Sequence, residues 1–90
     1  MTEAQLERGV VKLCREYDLL TYKFVSPSHR GVPDRIILCR GRAMFFELKR
    51  PGQKPTKLQE FELKRLRESG CPAYWVDNLE VARTLIQCHS

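Results

Sequence analysis

Apolar positions near the start of the chain recur with helical spacing. Leu6, Val10, Val11, Leu13, Cys14 and Tyr17 fall on one stripe, which predicts an amphipathic helix over Glu3 to Tyr17. The period then shortens. Leu20 to Val25 is rich in aromatic and β-branched residues and reads as a strand. Ser26 to Pro33, with two prolines and a glycine, reads as a loop. Arg35 to Cys39 and Ala43 to Lys49 are apolar runs on either side of Arg40-Gly41-Arg42, the pattern of a β-hairpin. Pro51, Gly52 and Pro55 interrupt the chain. The helical period returns over Thr56 to Ser69, where Thr56 and Gln59 fit a capping box and Leu58, Phe61, Leu63 and Leu66 supply an apolar side. Gly70 ends that helix. Ala73 to Val76 is a last strand. Asp77 and Glu80 suggest a further capped helix, with Val81, Ala82, Leu85 and Ile86 turned inward.

The order α-β-β-β-α-β-α predicts an α/β fold. A strand, a crossover helix and another strand place the last strand parallel to one already in the sheet. The expected architecture is a small mixed central sheet flanked by helices. Ninety residues suit one domain over positions 1–90. No repeat, low-complexity tract or linker divides them.

Charge narrows the partners. Sixteen Lys and Arg against eleven Asp and Glu give a net charge of +5, which points to a polyanion. No apolar run approaches the roughly 20 residues of a membrane span. The polar N-terminal segment does not resemble a secretory signal. Cys14, Cys39, Cys71 and Cys88 form no CxxC pair, and Cys88 with His89 lacks zinc-site spacing. Reduced, packing cysteines and a cytoplasmic protein are expected.

The candidate chemistry lies between Gly31 and Lys49. Asp34 opens one hairpin strand and Glu47 closes the other. Strand alternation puts Glu47 and Lys49 on one face and Leu48 on the other. A turn at Gly41 brings Asp34 back beside them. Two carboxylates and a lysine at one sheet end suit Mg²⁺ or Mn²⁺ and phosphodiester hydrolysis. The two acids repel each other, and a divalent cation relieves that conflict. Lys49 is expected to position water and to stabilise transition-state charge. Glu7 falls inside the first helix's apolar stripe, and a carboxylate there must be paired, protonated or bound to metal. Gln59 has two candidate roles, helix cap or contact to water and the scissile phosphate. His29, Arg30, Arg40, Arg42, Lys54 and Lys57 are candidate phosphate contacts. No small-molecule cofactor is implied.

These residues resemble the PD-(D/E)XK nuclease superfamily, through Pro33-Asp34 and Glu47-Leu48-Lys49 on the expected elements. The nearer resemblance is to the VRR-NUC family, particularly its small stand-alone members of phages and bacteria. It is carried by Lys23-Phe24-Val25-Ser26-Pro27, Arg30-Gly31-Val32-Pro33-Asp34, Phe46-Glu47-Leu48-Lys49 and Gln59, within a span from about Glu3 to Leu85. It implies a restriction-endonuclease-like fold and a Mg²⁺- or Mn²⁺-dependent endodeoxyribonuclease in a bacterial or phage-infected cell. Asp34, Glu47, the Leu48 carbonyl and Glu7 would hold the metal. It further implies homodimers acting on branched DNA such as four-way junctions. Leu19, Leu20 and Tyr22, or the helix from Leu79 to Cys88, are the candidate dimer surfaces. The rival classes are a non-catalytic nucleic-acid-binding module on the same fold and a protein-interaction domain with a structural ion-pair cluster.

Overall fold

A computed structural model describes all 90 residues. Thr2 caps helix α1 (Glu3–Glu16): its hydroxyl accepts from the Gln5 N–H, and the Gln5 side chain accepts from the Thr2 N–H. Leu6, Val10, Leu13 and Cys14 are the buried stripe of that helix, while Val11 and Tyr17 are half-buried. Asp18, in the left-handed region at φ 57°, turns the chain out of the helix, and the Leu19 N–H closes back on the Cys14 carbonyl.

Three strands follow: β1 (Leu20–Lys23), β2 (Arg35–Cys39) and β3 (Arg42–Leu48). β1 is shorter than expected, ending before Phe24 and Val25. Arg40 and Gly41 both have positive φ, at 51° and 79°, and join Cys39 to its partner Arg42 as a two-residue hairpin. Helix α2 (Lys57–Glu68) crosses to β4 (Ala73–Val76), and α3 (Leu79–His89) completes the chain. The sheet order is β1-β2-β3-β4, antiparallel except for the β3–β4 pair, which is parallel as the crossover rule requires.

The sheet has two different faces. On one, α1 and α3 pack over Ile37, Cys39, Met44, Phe46, Leu48 and Val76, which form the main core. On the other, α2 covers a smaller cluster of Phe45, Leu63 and Ala73, with the Phe24 and Phe45 rings 5.3 Å apart. Alternation along β3 therefore commits Phe46 and Leu48 to the core, and Phe45, Glu47 and Lys49 to the α2 face.

Three sequence expectations are corrected. Leu58 and Phe61 do not face the sheet but are 46% and 55% exposed, because Gln59, Glu62 and Leu63 take the inner positions of α2. Val81 is exposed on α3, whose buried residues are Ala82 and Ile86. Asn78, rather than Asp77, caps α3, accepting from the Val81 N–H at 2.9 Å. The four cysteines are free, Cys14 and Cys39 buried but Cys88 exposed. Burial pushes the Cys14 thiol up to about 11 and raises that of Cys39, so these two are packing groups. No helix is long and apolar enough to cross a membrane.

Candidate active site

The β2–β3 pairing carries Asp34 to Glu47. Arg35 opposes Phe46, so the residue before Arg35 meets the residues after Phe46. One Asp34 carboxylate oxygen accepts from the Leu48 N–H at 2.7 Å. Neighbouring backbone amides alternate in direction along a strand, and the Lys49 N–H instead donates across to the Val76 carbonyl at 2.9 Å. The end of β3 is thus pinned from both sides.

Glu47 is 2% exposed. Its Oε2 accepts from Gln59 Nε2 at 3.1 Å and lies 3.6 Å from Lys49 Nζ. Its Oε1 is buried with no hydrogen-bond partner, the single such side-chain atom in the molecule. Burial pushes the carboxyl up to about 8; Asp34 adds to the rise and Lys49 opposes it. Lys49 is itself buried, with only 9% of its side chain exposed, beside the acid it partly neutralises.

Gln59 fills the capping role, and the other end of its side chain binds Glu47. Its Oε1 accepts from the Thr56 N–H at 2.9 Å and completes the α2 cap, while its Nε2 holds Glu47. The amide has a separate atom for each task.

Glu7 does not join this cluster. Its Oε2 is 3.1 Å from Arg35 Nη1 and 3.8 Å from Lys23 Nζ. Arg35 alternates onto the α1 face of β2, where it is buried and needs a counter-ion, and Glu7 supplies it. Of the three states open to an inward carboxylate, the fold takes the paired one. Arg40 and Arg42 are also remote: they sit at the opposite end of β2, roughly 20 Å from Asp34 at strand rise. His29 and Arg30 lie in the loop before Asp34, and Lys54 and Lys57 flank the start of α2; all four are exposed.

Glu62 is a site-side residue the sequence pattern did not reveal. It is buried on α2, three residues after Gln59 and so on the same helix face. Its Oε1 is 2.7 Å from His29 Nε2 and 3.5 Å from Arg65 Nη1. Gly31 completes that contact at φ +85°, where a Cβ would come within 2.8 Å of Leu58 Cγ. The i+3 spacing from Gln59 was the available signal, masked by an apparently apolar Leu58–Phe61 side.

No three His, Cys, Asp or Glu side chains gather anywhere to form a metal cage. A buried carboxylate with an unpartnered oxygen, Glu47, beside the half-buried Asp34 is nevertheless a fitting donor set for a hard divalent cation. Mg²⁺ is commonly held by one or two carboxylates, with water and substrate phosphate filling the remaining positions.

No family model matches the chain. A phage protein described as "Putative nuclease p44", from Acyrthosiphon pisum secondary endosymbiont phage 1, is 39% identical over 84 residues, covering 92% of this chain and 90% of that protein. A solved structure described as a VRR_NUC domain superposes over the whole of both chains at TM-score 0.88 and 22% identity. A second, a VRR_NUC domain protein, matches 99% of this chain and 88% of its own at TM-score 0.83 and 18% identity. A nuclease relative spanning nearly the full length of both chains and the shared element order agree: the chain belongs to the family of that phage nuclease and has the fold of VRR_NUC domains.

Proposed function

We propose that this nuclease is a Mg²⁺- or Mn²⁺-dependent DNA endonuclease with Asp34 and Glu47 as its metal ligands. The observation that carries the proposal is Glu47 Oε1, a buried oxygen with no partner beside a second carboxylate. With both acids ionised, leaving such an atom unsatisfied costs about 1–3 kcal/mol; a bound cation removes the cost, as a proton shared with Asp34 does in the metal-free protein. The Leu48 backbone supports a third ligand: its N–H points to Asp34, and its carbonyl lies on the same side of an extended strand, beyond the last β2–β3 pair. Glu7 is left out of the ligand set.

When bound, the cation supplies Lewis-acid chemistry, making a water more acidic and offsetting charge on the phosphate. The chain's own residues do the rest. Gln59 fixes the Glu47 carboxylate in one rotamer. Lys49 brings a positive charge to where negative charge grows on the phosphoryl oxygens. His29, Arg30, Lys54 and Lys57 surround the approach to the cluster as phosphate contacts.

A symmetric homodimer cutting branched DNA, four-way junctions included, is part of the same proposal. Supporting it, α2 leaves the β1–β2 half of its face uncovered. There Leu20 opposes Leu38 and Tyr22 opposes Ile36, with Leu20 60% and Tyr22 56% exposed. Leu19 instead packs on the main core, and Val81 is the one large apolar side chain that α3 exposes, so neither is the favoured surface.

The test is incubation with supercoiled plasmid and a labelled four-way junction in Mg²⁺, Mn²⁺ or chelator. Chelator-sensitive cleavage, lost in Asp34→Asn, is expected. DNA binding without cleavage in either metal would select a non-catalytic module instead. Sedimentation at micromolar concentration checks the dimer, at twice the 10.6 kDa chain mass.

A further inference from the structure

We propose that the groove between α1 and β1 is a second nucleic-acid contact, a track for the phosphate backbone of one DNA strand, separate from the cleavage cluster. It rests on DNA being the substrate. The groove encloses about 590 Å³ and is lined by Arg8, Lys12, Arg15, Lys23 and Arg35, with Glu7 as its one acid. The whole chain has a net charge of +5, so most of its excess positive charge is gathered here.

The arrangement follows from helix periodicity. Positions 8, 12 and 15 fall on one stripe of α1, beside the inward stripe that packs on the sheet. All three side chains are exposed, and none has a carboxylate within ion-pair distance. Glu16, one turn beyond Lys12, is the nearest acid along this side of α1, and it pairs with Arg83 of α3 instead. The one carboxylate in the groove is already engaged by Arg35 and Lys23.

Geometry favours a polymer over a small anion. The cations do not converge on one point. From Arg8 to Arg15 they extend about 10 Å at the helical rise, a length that covers about two successive phosphates along the backbone of one DNA strand. The groove also has a direction. Its Lys23–Arg35 end lies at the start of β2, and Arg35 directly follows Asp34 in the chain. Its Arg15 end lies by Leu20 and Thr21, at the far end of β1. A strand held along α1 therefore runs toward the end of the sheet that carries the carboxylates. Phosphate contacts of this kind position a duplex without reading its sequence.

The experiment is a salt titration of binding to a fluorescein-labelled 20-base-pair duplex, with chelator present so that nothing is cut. Three proteins are compared: wild type, Arg8→Ala/Lys12→Ala/Arg15→Ala, and a charge-matched control, Arg40→Ala/Arg42→Ala/Lys64→Ala. The replaced groove side chains are exposed and alanine favours helix, so folding is retained; circular dichroism checks it. Each phosphate neutralised contributes about 0.9 to the slope of log K against log salt. The groove variant should show a slope shallower by about 2 to 3 and binding at least about tenfold weaker in 50 mM salt, with the control near wild type. Equal losses in the two variants would mean that only bulk charge matters, and would overturn the groove. So would an unchanged slope in the groove variant of a protein that binds and cuts DNA. A wild-type protein that neither binds nor cuts DNA would overturn the nuclease proposal with it.

Discussion

Replacing Glu47 by Gln should remove a loss of stability that the metal-free protein suffers as pH rises. In the folded state the Glu47 carboxyl is pushed up to about 8 from an ordinary value of 4.5. Between those values the folded chain holds a proton that the unfolded chain has released. Stability supplied by this group is therefore complete below about pH 4.5 and is lost as pH rises through about 8. At about 1.4 kcal/mol per pKa unit the ceiling is about 5 kcal/mol. Water entry and movement of Lys49 reduce it, and about 2 kcal/mol is expected across the window. An amide resembles the protonated acid in shape but does not ionise. It also places an N–H where Oε1 has no partner, beside the Asp34 acceptor. Urea unfolding of both proteins at pH 5, 7 and 8.5 in chelator reads the difference, in which other titrating groups cancel. The variant should match wild type at pH 5 and exceed it by about 2 kcal/mol at pH 8.5, near 10 °C in melting temperature for a chain of this size. Added Mn²⁺ should stabilise wild type by mass action and the variant far less. A stability difference that stays constant over this pH range would refute the argument, because Glu47 would then ionise as a solvated acid does.

Lys49→Met should lower the cleavage rate by about 10²–10⁴-fold while calorimetric Mn²⁺ binding persists, since the lysine offers charge rather than a ligand. Gly31→Ala should cost about 1–3 kcal/mol in urea unfolding, from positive φ and the Leu58 contact together. Gly41→Ala, at similar φ but with nothing within 4 Å, should cost less in the same assay. Arg35→Met should lower stability by about 1–3 kcal/mol, because it leaves the partly exposed Glu7 carboxylate with only the longer Lys23 contact; the double change with Glu7→Leu should recover much of that in thermal melts.

Most of the fold was legible because the apolar period changes cleanly from helix to strand and back. The hairpin could be placed from Gly41, and the parallel last strand from the length of the crossover. The carboxylate pair followed from strand parity, which sets the side of Glu47 whatever the local packing. Parity also held the clue that was overlooked: Arg35 shares a face with Ile37 and Cys39, so a buried guanidinium needed an acid, and Glu7 was the inward one available. The reading of α2 failed for a related reason. Its inner positions carry Gln59 and Glu62, polar groups bound to Glu47 and His29, and two exposed apolar residues beside them imitate a core stripe. Sequence pattern is least reliable where polar residues turn inward to bind other polar groups.

The double duty of Gln59 makes two residues that are interchangeable at most helix starts unequal here. Glutamate caps a first turn as well as glutamine does, because only an acceptor is needed for the backbone. At position 59 the other end of the side chain must donate. A glutamate there would keep the bond from the Thr56 N–H but present a third carboxylate to Glu47 and Asp34. The positional tolerance of the cap is thus removed by the acid it leans on. The same link runs in reverse: fraying of the first turn of α2 would free the amide that orients Glu47. The start of an otherwise ordinary helix and the geometry of the carboxylate cluster form one mechanical unit, and disorder in either is transmitted to the other.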